Sequence, residues 1–196
     1  MNKLRLLALW CVAAFAAECA PQPVTVTGTV CNATANGLML ATDGAEPIFI
    51  STMYADSATT DGILLYDSVR VTYVEQRSVG ISARKARSLD VIFSPYTAIV
   101  GRWVEPNTID TERVQGIEIN ADGTAASIGM ATLRFKSWDM TSPQTIVFGL
   151  ESIGNGASAD FTDTFRIETF DGNNLILSQN GNIICNLHKE KTKSRK

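Results

Sequence analysis

Between residues 101 and 187 the chain alternates apolar and polar residues in short runs separated by tight turns. Period-two alternation marks half-buried strands, and eight of them joined by hairpin turns predict an antiparallel meander closing into a barrel. The predicted strands are 97–105, 113–120, 124–130, 132–138, 145–152, 160–170, 174–178 and 182–188. Asn120-Ala121-Asp122-Gly123, Asp171-Gly172-Asn173 and Asn180-Gly181 supply the turns, because Asn, Asp and Gly tolerate positive φ. One face collects Ile99, Trp103, Ile117, Ile119, Leu133, Phe135, Ile146, Phe148, Leu150, Phe161, Phe165, Ile167, Leu175 and Leu177. Arg134, Lys136, Thr162, Thr164, Arg166 and Glu168 take the other, so the predicted barrel is apolar inside.

Residues 24–93 read as a second all-β unit. Val24, Val26, Gly28 and Val30 alternate with threonines, a β-branched run suited to a half-buried strand. Asn36-Gly37 turns the chain into Leu38-Met39-Leu40, and Asp43-Gly44 turns it into Ile48-Phe49-Ile50. Residues 52–61 are small and polar, a loop or short helix, and two further strands follow, one at 69–74 and one within 81–93. Three strands, a connection and two strands is the order of a small OB-type barrel. The second and third strands offer Phe49 as their one aromatic, too little for a base-stacking platform, and Arg77, Arg84, Lys85 and Arg87 read as a solvated basic face. Ser94-Pro95-Tyr96 is the predicted boundary, since Pro95 removes a ladder donor.

Ahead of both units, Lys3 and Arg5 precede an apolar run from Leu6 to Ala17, too short to span a bilayer and suited to the core of a secretory leader. Two endings stay open: cleavage after Ala14-Phe15-Ala16, or lipid attachment at Cys19. Ala16-Ala17-Glu18-Cys19 departs from a lipoprotein box at Glu18, but Ala20-Pro21-Gln22-Pro23 is a Pro-containing tether that suits an anchored domain, and lipidation is the favoured reading. The segments are thus a leader (1–19), an OB-like domain (20–94), the larger barrel (95–188) and a basic tail (189–196). The expected location is the cell envelope, held by a lipid anchor, or else the periplasm.

Composition changes this picture little. With 45% hydrophobic and 19% charged residues and a net charge of −3, the chain has no basic excess that would suit nucleic acid. Four cysteines are present, and Cys31 and Cys185 are the two that lie inside the predicted barrels. No Cys-x-x-Cys occurs, no Gly-rich phosphate loop precedes a helix, and the single histidine, His188, ends the last strand without a nucleophile beside it. The reading is noncatalytic, without metal or cofactor.

Gly101-Arg102-Trp103 followed by an eight-strand meander resembles a lipocalin. More narrowly, residues 101–106, 116–123 and 151–156 resemble the lipocalin-like domain of bacterial envelope lipoproteins related to NlpE, which combine such a barrel with an OB-like domain and are linked to copper tolerance and envelope-stress sensing. Here the OB-like half comes first, and the Cys-x-x-Cys of the copper link is missing. The resemblance therefore implies an all-β architecture, an OB-like barrel followed by an eight-stranded lipocalin-like barrel, together with an envelope location on the outer membrane. It also implies that Trp103 closes one barrel end and that the interior takes a small apolar ligand. Phe135, Phe148 and Phe165 are the candidate wall of that interior, and Asp163, in the inward register between Phe161 and Phe165, is either its polar anchor or a structural carboxylate. The competing reading is a barrel filled by its own side chains, acting as a structural or sensory module that contacts another envelope protein.

Overall fold

The computed structural model describes residues 21–53, 55, 62–78 and 81–191. The leader, Cys19, most of the 52–61 connection, the Arg77 side chain and the tail from 192 lie outside the described residues.

The first barrel comprises β1 (Val24–Thr34), β2 (Gly37–Ala41), β3 (Ile48–Ser51), β4 (Ser68–Ser78) and β5 (Ile81–Phe93). They close in the order β1-β2-β3-β5-β4, an OB-like circuit in which β1 is hydrogen-bonded on both edges. Val30, Leu38, Leu40, Ile50, Val69, Val71 and Leu89 fill it, while Phe49 stands 45% exposed. Closure of a small sheet on itself leaves few unpaired backbone groups at its edges.

The second unit starts with helix α1 (Pro95–Ile99) and continues through β6 (Gly101–Pro106), β7 (Val114–Ile119), β8 (Ala125–Ile128), β9 (Leu133–Ser142), β10 (Thr145–Gly154), β11 (Ala157–Phe170), β12 (Asn174–Gln179) and β13 (Asn182–Lys189). Its sheet order is β8-β7-β6-β13-β12-β11-β10-β9, so the first and last strands of the meander meet. The gap between β8 and β9 is spanned by the Thr124–Ser137 bridge and by Ser127, whose Oγ donates to the Leu133 carbonyl and accepts from the Phe135 N–H, both at 2.8 Å. One hydroxyl thus replaces two rungs of a ladder, and the barrel is nearly closed.

Three local expectations change. Residues 97–99 are helical rather than extended: the Ser94 side chain accepts from the Thr97 N–H at 3.4 Å and Pro95 sits in the first turn. That is an N-cap followed by proline at the position where its missing N–H costs least. In β9 the register slips where Gly149 faces Ser137 but Leu150 faces Phe135. This bulge turns Trp138 and Met140 inward beside Phe135, which strict alternation would not place together. Phe161, assigned to the interior, is 39% exposed. Residues 157–162 are all exposed, because the β10–β11 hairpin runs past the core.

One end of this barrel is solid. Trp103 is fully buried, its Nε1–H donates to the Ile99 carbonyl at 2.6 Å, and Phe170 meets it edge-on at 5.9 Å. Lys189 passes over the same ring, its ammonium 5.1 Å from the centroid and 2.8 Å from the Ala98 carbonyl. Gly101 makes this crossing possible: it has φ 141°, and a Cβ there would lie 2.8 Å from Lys189 Cε. Trp138 closes the rest of this end, donating from Nε1 to the Asn120 carbonyl at 2.7 Å and stacking with Tyr96 at 4.5 Å. The first barrel docks here, where Tyr66 Oη donates to the Thr141 carbonyl at 2.6 Å and Phe93 meets Phe170 at 5.9 Å. Tyr66 holds φ 71°, a left-handed conformation that costs an L-residue roughly 1–2 kcal/mol. Its N–H bonds the Val30 carbonyl at 2.8 Å, and the buried Asp67 carboxylate accepts from the Leu64 N–H at 2.9 Å, which holds the turn in place.

Candidate functional site

The other end of the second barrel is where the wall opens. β13 pairs with β6 through His188–Val104 and Lys189–Trp103, and beyond that point the Asn186 N–H bonds the Glu105 carboxylate, at 2.9 Å, instead of strand backbone. Beneath this break lies a cavity of about 160 Å³. Ile117, Leu133, Phe135, Phe148, Phe165 and Leu177 form its apolar wall, Met130 and Ile184 border it, and Glu105, Gln115 and Cys185 are its polar members. Ile184 is 49% exposed, so the cavity reaches the surface on that side. No described residue of the first barrel lines it, consistent with docking at the opposite end.

The three phenylalanines singled out from the sequence come together. Phe135 and Phe148 pack edge-to-face with centroids 4.9 Å apart, and Phe148 and Phe165 follow at 5.9 Å, geometries that aromatic quadrupoles favour. Trp103 belongs to the closed end and does not line the cavity. Asp163 is half-buried, faces Phe148 across the β10–β11 ladder, and is also absent from the cavity wall.

The carboxylate on the wall is Glu105, which the sequence reading passed over. The signal was present: two residues beyond an inward Trp103, alternation puts Glu105 on the same face, and β7 sets Gln115 directly opposite. Gln115 Nε2 donates to Glu105 at 3.2 Å, and Asn107 Nδ2 donates to Gln115 Oε1 at 3.1 Å, which fixes the direction of the amide. Cys185 follows from the same logic, two residues before the inward Leu187. Burial, and after it the charge of Glu105, pushes its thiol up to about 11.

A larger concavity, about 840 Å³, lies on the first barrel between Pro21, Gln22, Val24, Val74, Glu75, Gln76, Lys85, Ala86 and Arg87. It is an open groove beside the first described residues and lacks an enclosing wall. Arg84 in the neighbouring basic face lies 3.4 Å from Glu75. His188 shares a 2.8 Å hydrogen bond with Asn174 on the exterior, and Cys31 and Cys185 are both free thiols. Among the described residues no three His, Cys, Asp or Glu side chains come together as a metal set.

A family model described as Lipocalin-like matches residues 95–189. Among solved structures, the chain is similar to a lipocalin-like protein from Bacteroides thetaiotaomicron VPI-5482, with 38% identity over 47% of this chain and 97% of that one, at a TM-score of 0.44. No curated protein matches the chain. Residues 95–189 thus form a lipocalin-like domain.

Proposed function

We propose that this is an exported envelope lipoprotein whose second barrel binds, without catalysis, a small hydrophobic or amphipathic molecule. The observation that carries the binding reading is the cavity of about 160 Å³ walled by Phe135, Phe148 and Phe165. An apolar cavity of about 150 Å³ is known to hold a benzene-sized guest, whereas drug-sized ligands occupy roughly 300 Å³ or more. The guest is therefore a single ring or a short chain. Calorimetric titration of benzyl alcohol into the protein tests this. Binding to the wild type that is lost in Ile184→Trp, where an indole at the half-exposed border blocks entry, supports the cavity; equal heats from both proteins sink it.

Location rests on the leader and on Cys19, and relation to the NlpE-type lipoproteins rests on the motifs around Trp103, Gly116 and Gly154. Metabolic labelling with a radioactive fatty acid decides the anchor: label in the wild type and none in Cys19→Ser is the expected pair, and an unlabelled wild type contradicts it. A second reading, contact with another envelope protein, draws on Val91, Ile92 and Phe93 at the end of β5 and on Leu64 and Leu65 in the loop before β4, all between 39% and 47% exposed.

A further inference from the structure

Among the described residues the cavity wall has one carboxylate and no basic group. Glu105 is half-buried, and its described partners are neutral: the Gln115 amide at 3.2 Å and the Asn186 backbone N–H at 2.9 Å. Among the described residues no ion pair includes it. A carboxylate offers about four lone-pair positions, and two donors leave acceptor capacity unused. A partly desolvated anion without a cation beside it is a costly arrangement, which a ligand cation would relieve.

The surroundings define the rest of the guest. Gln115 is held by Asn107 so that its NH₂ faces Glu105, and the carboxylate is thereby oriented before any ligand arrives. Behind it stand Ile117, Leu177 and the three phenylalanines, which take an apolar body of ring size. An anionic guest would meet Glu105 with no Lys, Arg or His on the wall to offset it.

We infer that Glu105 is the polar anchor of this cavity and that the ligand it selects is a compact cationic amphiphile, an apolar ring or short chain carrying an ammonium group. The inference rests on the cavity-binding reading above and adds the charge of the guest. A charge-assisted hydrogen bond is about twice as strong as a neutral one, which predicts a preference of roughly tenfold for the ammonium compound over its neutral isostere.

The test uses three matched probes on the full chain: phenethylamine, 2-phenylethanol and 3-phenylpropanoate, titrated by calorimetry into the wild type and Glu105→Gln. The expected result is tightest binding of phenethylamine, roughly tenfold weaker binding of 2-phenylethanol and no detectable binding of the carboxylate, with the amine's advantage lost in Glu105→Gln. If amine and alcohol bind equally to the wild type, or the advantage survives in Glu105→Gln, the assignment of Glu105 is overturned while the cavity reading stands. If none of the three binds the wild type, the cavity reading fails and takes this inference with it. Should the variant fold poorly, the wild-type comparison still separates the expected order of binding from equal binding of amine and alcohol and from no binding at all.

Discussion

Among single residues, those of strand β6 serve both ends of the barrel. Trp103 plugs the closed end, and Glu105, two residues on, faces the cavity. Truncating a buried tryptophan of this kind costs about 3–5 kcal/mol, so the plug is part of what holds the fold. Cys185 offers a separate test of the interior. Its folded thiol titrates near 11 against a reference of 9.0, so the native state holds the proton more tightly than the unfolded chain. The sign follows: its contribution to stability is complete below about pH 9 and is lost as pH rises through about 11. At about 1.4 kcal/mol per pH unit, the rise from 9.0 to about 11 bounds that contribution at roughly 3 kcal/mol. Urea unfolding of the wild type and Cys185→Ala between pH 8 and 11.5 should show the gap between them shrinking as pH rises; a constant gap would mean that the thiol is solvated. Of the residues that sequence reading missed, Glu105 and Gln115 sit on strands whose inward apolar partners it placed correctly, while for the strand of Cys185 it assigned no inward residue. They were passed over because inward polar groups matter only at a barrel's open end, and which end is open depends on where β6 and β13 part.

Among the elements, how much the sequence reveals depends on how local each signal is. All eight strands of the second barrel are present, because Asn-Gly and Asp-Gly turns and two-residue alternation are written within a few residues of each other. The helix at Pro95–Ile99 has a local signal too, Ser94-Pro95, but the apolar run Ile99-Val100 after it reads equally well as strand. The β9 bulge has no local signal. It is selected by packing, since turning Trp138 inward lets its indole reach the Asn120 carbonyl and Tyr96 at the closed end. Gly116 shows the same dependence on neighbours: a Cβ there would lie 1.9 Å from the Trp103 carbonyl oxygen, a clash visible only once β6 and β7 are paired. Near-closure through the Ser127 hydroxyl likewise depends on β8 and β9 meeting at that point.

At the scale of the whole molecule, the described residues of the two barrels meet at the solid end of the second and leave its mouth clear. The first barrel rests on the solid end of the second through Tyr66 and Phe93, so it braces the plug rather than covering the cavity. On the proposed reading, a small guest is recognised at one end of the molecule, and the tether toward a membrane starts at the other barrel. The open end, and nothing else, should then take the guest. Methyl NMR of the isoleucine- and leucine-labelled protein during titration with phenethylamine decides this. Shifts are expected at Ile117, Leu133, Leu177 and Ile184, with Ile99, Leu175 and Leu187 of the buried core unmoved. Shifts confined to the first barrel, or none anywhere, would rule out binding at the open end.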